Sequence, residues 1–398
     1  MRKQRRQEIA KNGKVRLEGN KWLVPSQSSN KQYEVILGLG SSKCNCPDFA
    51  ERQIKCKHIF AVEVTIVKTV NVKGNVIITA TKKITYAQNW AAYNASQINE
   101  QDLFMKLLAD LCQDIEEPLY KFGRPQLPLK DMVFASALKV YSTFSLRRFM
   151  SDMRASKEKG FVSKVSSYSS VSNYMRSEEL TPILQSLISL SSMPLRSVET
   201  KFAIDSTGFR TTRFNDYCRE KHNTEKQHQW IKAHICIGVK TNIITGIEVT
   251  EGTGADSLQF IPLAERTFEN GFRVEEMSAD KAYSSRDNHE YIDQIGGTPY
   301  IAFRSNATGT VYSGNKARLW RKMFHYFQLN NDEFMEHYHN RSNVETTFHA
   351  IKAKLGDSLK SKNYVSQANE TLCKLIAYNI TVLINAMYEL KIEPKLLT

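Results

Sequence analysis

The chain has 398 residues, 41% hydrophobic and 24% charged, which excludes a wholly disordered or collagen-like protein and leaves room for roughly two to three domains. Lysine and arginine outnumber aspartate and glutamate 55 to 41, a net charge of +14, so a polyanion is the expected partner and nucleic acid the first candidate. Seven cysteines, three of them clustered, exclude a disulfide framework and fit a reducing compartment with one metal site.

Residues 1–22 form a basic arm, eight lysines and arginines against two glutamates, followed by no apolar segment of signal-peptide length; a cytoplasmic location is expected. A small module, 23–70, begins with strands at Lys21 to Val24 and Gln32 to Leu37, and its Ile59 to Val67 stretch is β-branched and ambiguous between helix and strand. A connector with strand content and then a helix fill 71–120, the helix carrying Leu103, Leu107, Leu108 and Leu111 on one face. Residues 121–200 read as helical: one set carries Val133, Ala137, Val140 and Tyr141, and a second, capped by Ser145, carries Leu146, Phe149 and Met153. Seven basic residues against two acidic ones between Ser145 and Arg176 make this a candidate DNA-binding region, or an ordinary helical layer with a solvated face.

After Thr200 the period changes. A strand Phe202 to Asp205, a hairpin across Thr241-Asn242, a helix Ser257 to Glu269, a strand Val274 to Ala279, a helix Ser284 to Ile295, a strand Pro299 to Phe303 and a helix Arg341 to Leu355 stopped by Gly356 follow in turn. The expected class is α/β: an RNase H-like mixed sheet flanked by helices over 201–398, preceded by a helical region and a small zinc-binding α+β module. The apolar window Leu372 to Leu390 is interrupted by Lys374, Asn379 and Asn385, which would be costly at bilayer depth, so no membrane span is expected.

Cys44-x-Cys46-x9-Cys56-x-His58 supplies three thiolates and an imidazole, the ligand set of a closed structural Zn²⁺ site with no position open for catalysis. It resembles the SWIM-type zinc finger, ligand for ligand, which implies a role in binding DNA or protein.

Three acids form a second constellation. Asp205 and Asp280 end strands that neighbour one another in an RNase H-like sheet, and Glu345 lies in the helix expected to face them. Convergent carboxylates are hard ligands for Mg²⁺ or Mn²⁺. Around Glu345, steps of three, four and seven residues set Tyr338, Arg341, Glu345 and Lys352 along one helical face, as a phosphate-gripping surface or as a solvated face with an i, i+4 ion pair. Trp320, Phe324, His325 and Tyr326 interleave with Lys316, Arg318, Arg321 and Lys322 between the second and third acids, a pattern open to base stacking or to core packing. His228, Trp230 and His234 read as structural, and Asp256 as a helix N-cap.

The stretch Tyr338 to Lys352 fits Y-x2-R-x3-E-x6-K without a gap, and Ala203 to Phe209, Trp230 to His234 and Ser278 to Tyr283 are similar to segments of the same enzymes. Over about residues 120–390 the chain resembles insertion-sequence transposases of the DDE class. The resemblance implies that Asp205, Asp280 and Glu345 bind the catalytic metal, that Tyr338, Arg341 and Lys352 contact DNA, and that the protein cuts transposon ends and joins the freed 3′-OH to target DNA as a homo-oligomer. Alternatives are a non-catalytic, DNA-binding relic and an RNase H-like nuclease without strand transfer.

Overall fold

A computed structural model describes residues 16–18, 21–26, 31–36, 42–52, 56–59, 62, 66–70, 76–80, 89–119, 122–123, 125–211, 230–252, 254–309 and 315–396. Most of the basic arm, and His228, lie outside them. The chain divides into two compact units, Met1–Gln88 and Asn89–Thr398.

In the first unit β1 (Arg16–Glu18), β2 (Lys21–Pro25), β3 (Gln32–Ile36) and β4 (Lys43–Cys44) form an antiparallel sheet in chain order. α1 (Pro47–Arg52) follows, and β5 (Ile66–Val70) pairs antiparallel with β6 (Val76–Ala80). Trp22, Val24, Val35, Ile59 and Val62 bury their side chains around the three clustered cysteines, a core of few residues.

The second unit opens with α2 (Trp90–Ile98), α3 (Glu100–Cys112), α4 (Leu129–Tyr141), α5 (Met150–Glu158), α6 (Tyr168–Tyr174) and α7 (Leu180–Ser192). α5 begins four residues later than a Ser145 cap predicts. Phe149 occupies the cap position, because its buried ring and the bond from its amide to the Ser145 carbonyl (2.9 Å) close a preceding turn. Ser167 caps α6 by accepting from the Ser170 amide at 3.1 Å.

The sheet is built from β7 (Lys201–Arg210), β8 (Trp230–Gly238), β9 (Ile244–Glu251), β10 (Glu276–Ala279) and β11 (Thr298–Ile301), in the order β11-β10-β7-β8-β9. β8 runs antiparallel to both β7 and β9, and β10 and β11 run parallel to β7, the RNase H-like arrangement expected. β7 does not end at Asp205. It runs five residues further because β8 pairs with it as far as Arg210↔Trp230. Period-two alternation sends Phe202 and Ile204 to one face, with α8 (Phe260–Glu269). Ala203 and Phe209 go to the other, with α12 (Ser342–Leu355) and α13 (Tyr364–Glu389). Leu184, Leu187 and Ile188 of α7 share that second core with the sheet, so it continues across the expected 200/201 partition.

α9 (Arg286–Gln294) joins β10 to β11, and α10 (Asn315–Leu329) and α11 (Asn331–Tyr338) fill the interval before α12. Among the described residues α13 is long and apolar enough to cross a membrane, yet 83% of its most apolar window is buried inside the protein. Its polar interruptions each meet a partner: Lys374 donates to the Gly356 and Ser358 carbonyls (2.6 and 3.1 Å) and Asn385 accepts from Ser96 (2.7 Å). Asn379 holds both the amide and the carbonyl of Ile244 (2.9 and 2.8 Å).

Candidate active site and metal centre

Strand register builds the acid site. Ala279, the last residue of β10, pairs with Ile204, so Asp280 leaves the sheet beside Asp205 on the neighbouring strand. The Asp280 carboxylate accepts from the Lys281 amide (2.6 Å), which caps the short 3-10 turn Lys281–Tyr283, and Arg304 donates to the Lys281 and Ala282 carbonyls from outside (3.2 and 2.9 Å). Asp205 turns one oxygen to the Ser206 amide (2.8 Å) and the other to Arg341 Nη1 (3.2 Å). Arg341 also donates through both terminal nitrogens to Glu345 Oε1, each at 2.8 Å, and so joins two of the three acids.

Tyr338, Arg341 and Glu345 are not on one continuous helix, as the spacing predicts. Tyr338 ends α11, a 3-10 turn spans His339–Arg341, and α12 starts at Ser342. The break lets α11 follow the strands: His337 Nδ1 lies 2.9 Å from Glu276 at the start of β10, and Glu276 also accepts from Lys201 of β7 (2.7 Å). Arg341 then arrives over Asp205, and α12 continues along the same face of β7. Lys352 donates to Thr207 at 2.6 Å and stands 5.5 Å over the Phe209 ring. Thr207 was not predicted, although its two-residue spacing from Asp205 places it on the same face. Arg304 and His337 carry no sequence signal, since only tertiary folding brings them near the acids.

Electrostatics agree with convergence. Burial pushes the Asp205 carboxyl above its ordinary range and Asp280 and Glu345 add to the push, against the Ser206 amide and Arg341. Burial likewise raises the Tyr338 hydroxyl, in the field of the same three acids. Burial lowers Lys352. Two of the three carboxylates, Asp205 and Glu345, share one guanidinium, while Asp280 is held by the Lys281 amide, so the hard-oxygen groups outnumber the cations beside them.

Of the aromatic set between the second and third acids, Trp320, Phe324 and Tyr326 belong to a core and His325 does not. Trp320, Tyr300, Phe303, Met323 and Phe334 bury one another, with Phe324 and Tyr326 packed against them, and the Trp320 indole donates to the Thr308 carbonyl (3.0 Å). Trp320 is therefore closed to stacked bases, Phe324 and Tyr326 are half-buried, and Arg318, Arg321, Lys322 and His325 are exposed. His234 is structural as expected, fully buried with Nε2 2.9 Å from the Thr250 hydroxyl. Asp256 caps nothing; it forms an ion pair with Lys232 across from β8, which a local reading cannot see.

In the first unit Cys44, Cys46, Cys56 and His58 are all buried, their ligand atoms within 4.8 Å of one another. Among the described residues this is the only histidine, cysteine or acidic group drawn so tight. His58 Nδ1 lies 3.9 Å from both Cys44 and Cys56 sulfurs, close to the ~3.5–3.8 Å edge of a tetrahedron with Zn–S near 2.3 Å and Zn–N near 2.0 Å. The crowded thiols titrate apart: hydrogen bonding from Cys44 and then from His58 pulls Cys56 down to about 3, while its contact with Cys56, then burial, pushes Cys44 up. A cation among them relieves that conflict.

Comparison with known proteins follows the same division. The family model of the transposase DDE domain matches residues 196–380, and that of the SWIM zinc finger matches residues 33–66. No curated protein matches the chain. A solved structure, the cryo-EM synaptic complex of piggyBac transposase with hairpin DNA, is similar over 74% of each chain at 12% identity and a TM-score of 0.34, too weak a likeness to carry an argument. The chain carries a transposase DDE domain and, ahead of it, a SWIM zinc finger.

Proposed function

We propose that the protein is a DNA transposase that hydrolyses a phosphodiester at each transposon end and then directs the freed 3′-OH at target DNA. The observation that supports this most is the register that sets Asp205 beside Asp280, with Arg341 tying Asp205 to Glu345. Asp205, Asp280 and Glu345 would hold Mg²⁺ or Mn²⁺, which supplies activation of the attacking oxygen and charge neutralisation at the leaving oxygen of an in-line displacement.

The remaining roles belong to the chain's own side chains. Arg341 keeps two of the three like charges, Asp205 and Glu345, close without metal and offers a planar donor fork to a phosphate. Lys352, fixed on Thr207, puts a second cation roughly 7 Å along β7 from Asp205, the span of about two nucleotide steps. Tyr338 stays a neutral hydroxyl donor beside the acids. Residues 121–200 would contribute DNA contacts, and the protein would act as a homo-oligomer on DNA in the cytoplasm. Cys44, Cys46, Cys56 and His58 would hold one Zn²⁺, which folds the first unit and takes no part in the chemistry.

The test is cleavage and strand transfer on element-end duplexes with Mg²⁺. Asp205→Asn, Asp280→Asn and Glu345→Gln should each abolish both reactions while duplex affinity changes less than about threefold, because phosphate contacts dominate affinity. Near wild-type cutting by any of the three removes that residue from the site. Cleavage without strand transfer would leave a nuclease.

A further inference from the structure

A cleft of about 510 Å³ opens between the helical region and the segment that follows α12, and its chemistry is one-sided. Lys139, Arg176, Lys360 and Lys362 line it together with the Ser145, Ser172, Ser361 and Ser366 hydroxyls, and no carboxylate does. Arg176 and Lys362 are exposed, with no ion-pair partner among the described residues. One wall is rigid: the buried Glu370 accepts from the Lys360 amide through both oxygens (2.9 and 3.0 Å) and from the Ser361 amide (2.8 Å), and the Lys360 ammonium is held on the Thr143 carbonyl.

Two further cations stand beside Phe144, which lines the cleft, and Tyr168. Phe144 and Tyr168 are partly exposed, but Arg148 lies 4.9 Å over the first ring and Arg147 5.3 Å over the second. A guanidinium thus sits over one face of each ring, and the guanidinium groups add cations for phosphate. The cleft also follows the line of the acid site. Arg210, five residues beyond Asp205 on β7, bridges in parallel to Ser358, and Lys360 is two residues further on. At about 3.3 Å per strand residue this sets the cleft on the order of 20 Å from the carboxylates, roughly six base pairs along a duplex.

We infer that this cleft holds the phosphate backbone of double-stranded DNA about six base pairs from the phosphodiester at the acid site. The inference rests on the DNA-cutting role proposed above, but its test reads binding and not cutting. Full-length protein carrying Asp280→Asn is titrated, without Mg²⁺, against fluorescent element-end and random duplexes at several salt concentrations. Arg176→Ala and Lys362→Ala should each weaken both duplexes severalfold and reduce the slope of log K against log salt by about 0.9, the double variant by about 1.8. Lys106→Ala, an exposed charge on α3, should do neither, and all variants should melt together.

Ethylation interference on the element end should lose its signal about six base pairs from the cut in the double variant. An unchanged slope in that variant, an equal loss in Lys106→Ala, or the same affinities and losses with single-stranded DNA would each overturn the inference. If no cleavage is ever found yet the cleft variants lose duplex affinity, the cleft stands and the transposase reading falls. Cutting by variants that bind normally has the opposite meaning.

Discussion

Arg341 has the most connected position at the acid site, and its loss should be felt differently from that of Lys352. With Arg341→Ala, Asp205 and Glu345 lose their shared cation, so three carboxylates face one another uncompensated. The Arg341–Asp205 pair is only 19% exposed on each side, whereas Glu345 is 62% exposed and its pair with Arg341 is correspondingly screened. Arg341→Ala should cut the cleavage rate by about 10²-fold or more and lower stability by roughly 1–3 kcal/mol. Lys352→Ala frees only the Thr207 hydroxyl and the Phe209 ring face. It should weaken end binding with a salt slope lower by about 0.9 and slow cleavage less. Parallel melts, salt titrations and single-turnover cleavage separate the two, and equal losses would show that Arg341 acts only as one more phosphate contact.

Among the elements, the SWIM segment depends most on one event. Its core holds few apolar side chains, and the buried thiols are part of that core. Metal binding and folding should therefore be one transition. Purified protein should hold one zinc per chain. Cys44→Ser or His58→Ala should release it and open residues near 33–66 to protease, with the melting of the 89–398 unit unchanged. Protein that is zinc-free and still protease-resistant there would show that four unliganded side chains suffice. The 3-10 turn at His339–Arg341 joins two contacts with the sheet, His337 with Glu276 of β10 and Arg341 with Asp205 of β7.

For the whole molecule, two buried histidines add to the loss of stability in acid. His234 and His289 are both pushed down to about 4, chiefly by burial. The unfolded chain takes up protons near the ordinary value of about 6.5 and the folded chain only near 4, so the unfolded state binds more protons in between. Stability present above pH 6.5 is thus lost as pH falls toward 4, at up to about 1.4 kcal/mol per pH unit for each histidine. His289 packs 5.3 Å from Phe303 and 5.0 Å from Trp320, so His289→Phe keeps the ring contacts and should lower the slope in denaturant titrations between pH 4 and 6.5 by up to about 1.4 kcal/mol per pH unit. An unchanged slope would place the acid sensitivity elsewhere.

Local chemistry fixed much of this protein in its sequence. Four ligands at C-x-C and C-x-H spacing name a metal centre whatever surrounds them. Alternation around Ala203-Ile-Asp205 and Ser278-Ala-Asp280 places two acids at strands, and Gly356, at φ +83°, stops α12 as predicted. Other features were decided by partners far away in sequence. β7 passes through Ser206-Thr-Gly208 because β8 lies beside it, and the polar interruptions of α13 are explained only by the backbone of Ile244, Gly356 and Ser358. Asp256 reads as a cap until Lys232 is seen across the fold, and Trp320 stays open between stacking and core until Phe303 and Phe334 bury it. A sequence records which side chains are able to ligate, pair or pack. Which of them meet depends on strand register and helix path, set by the whole buried surface at once.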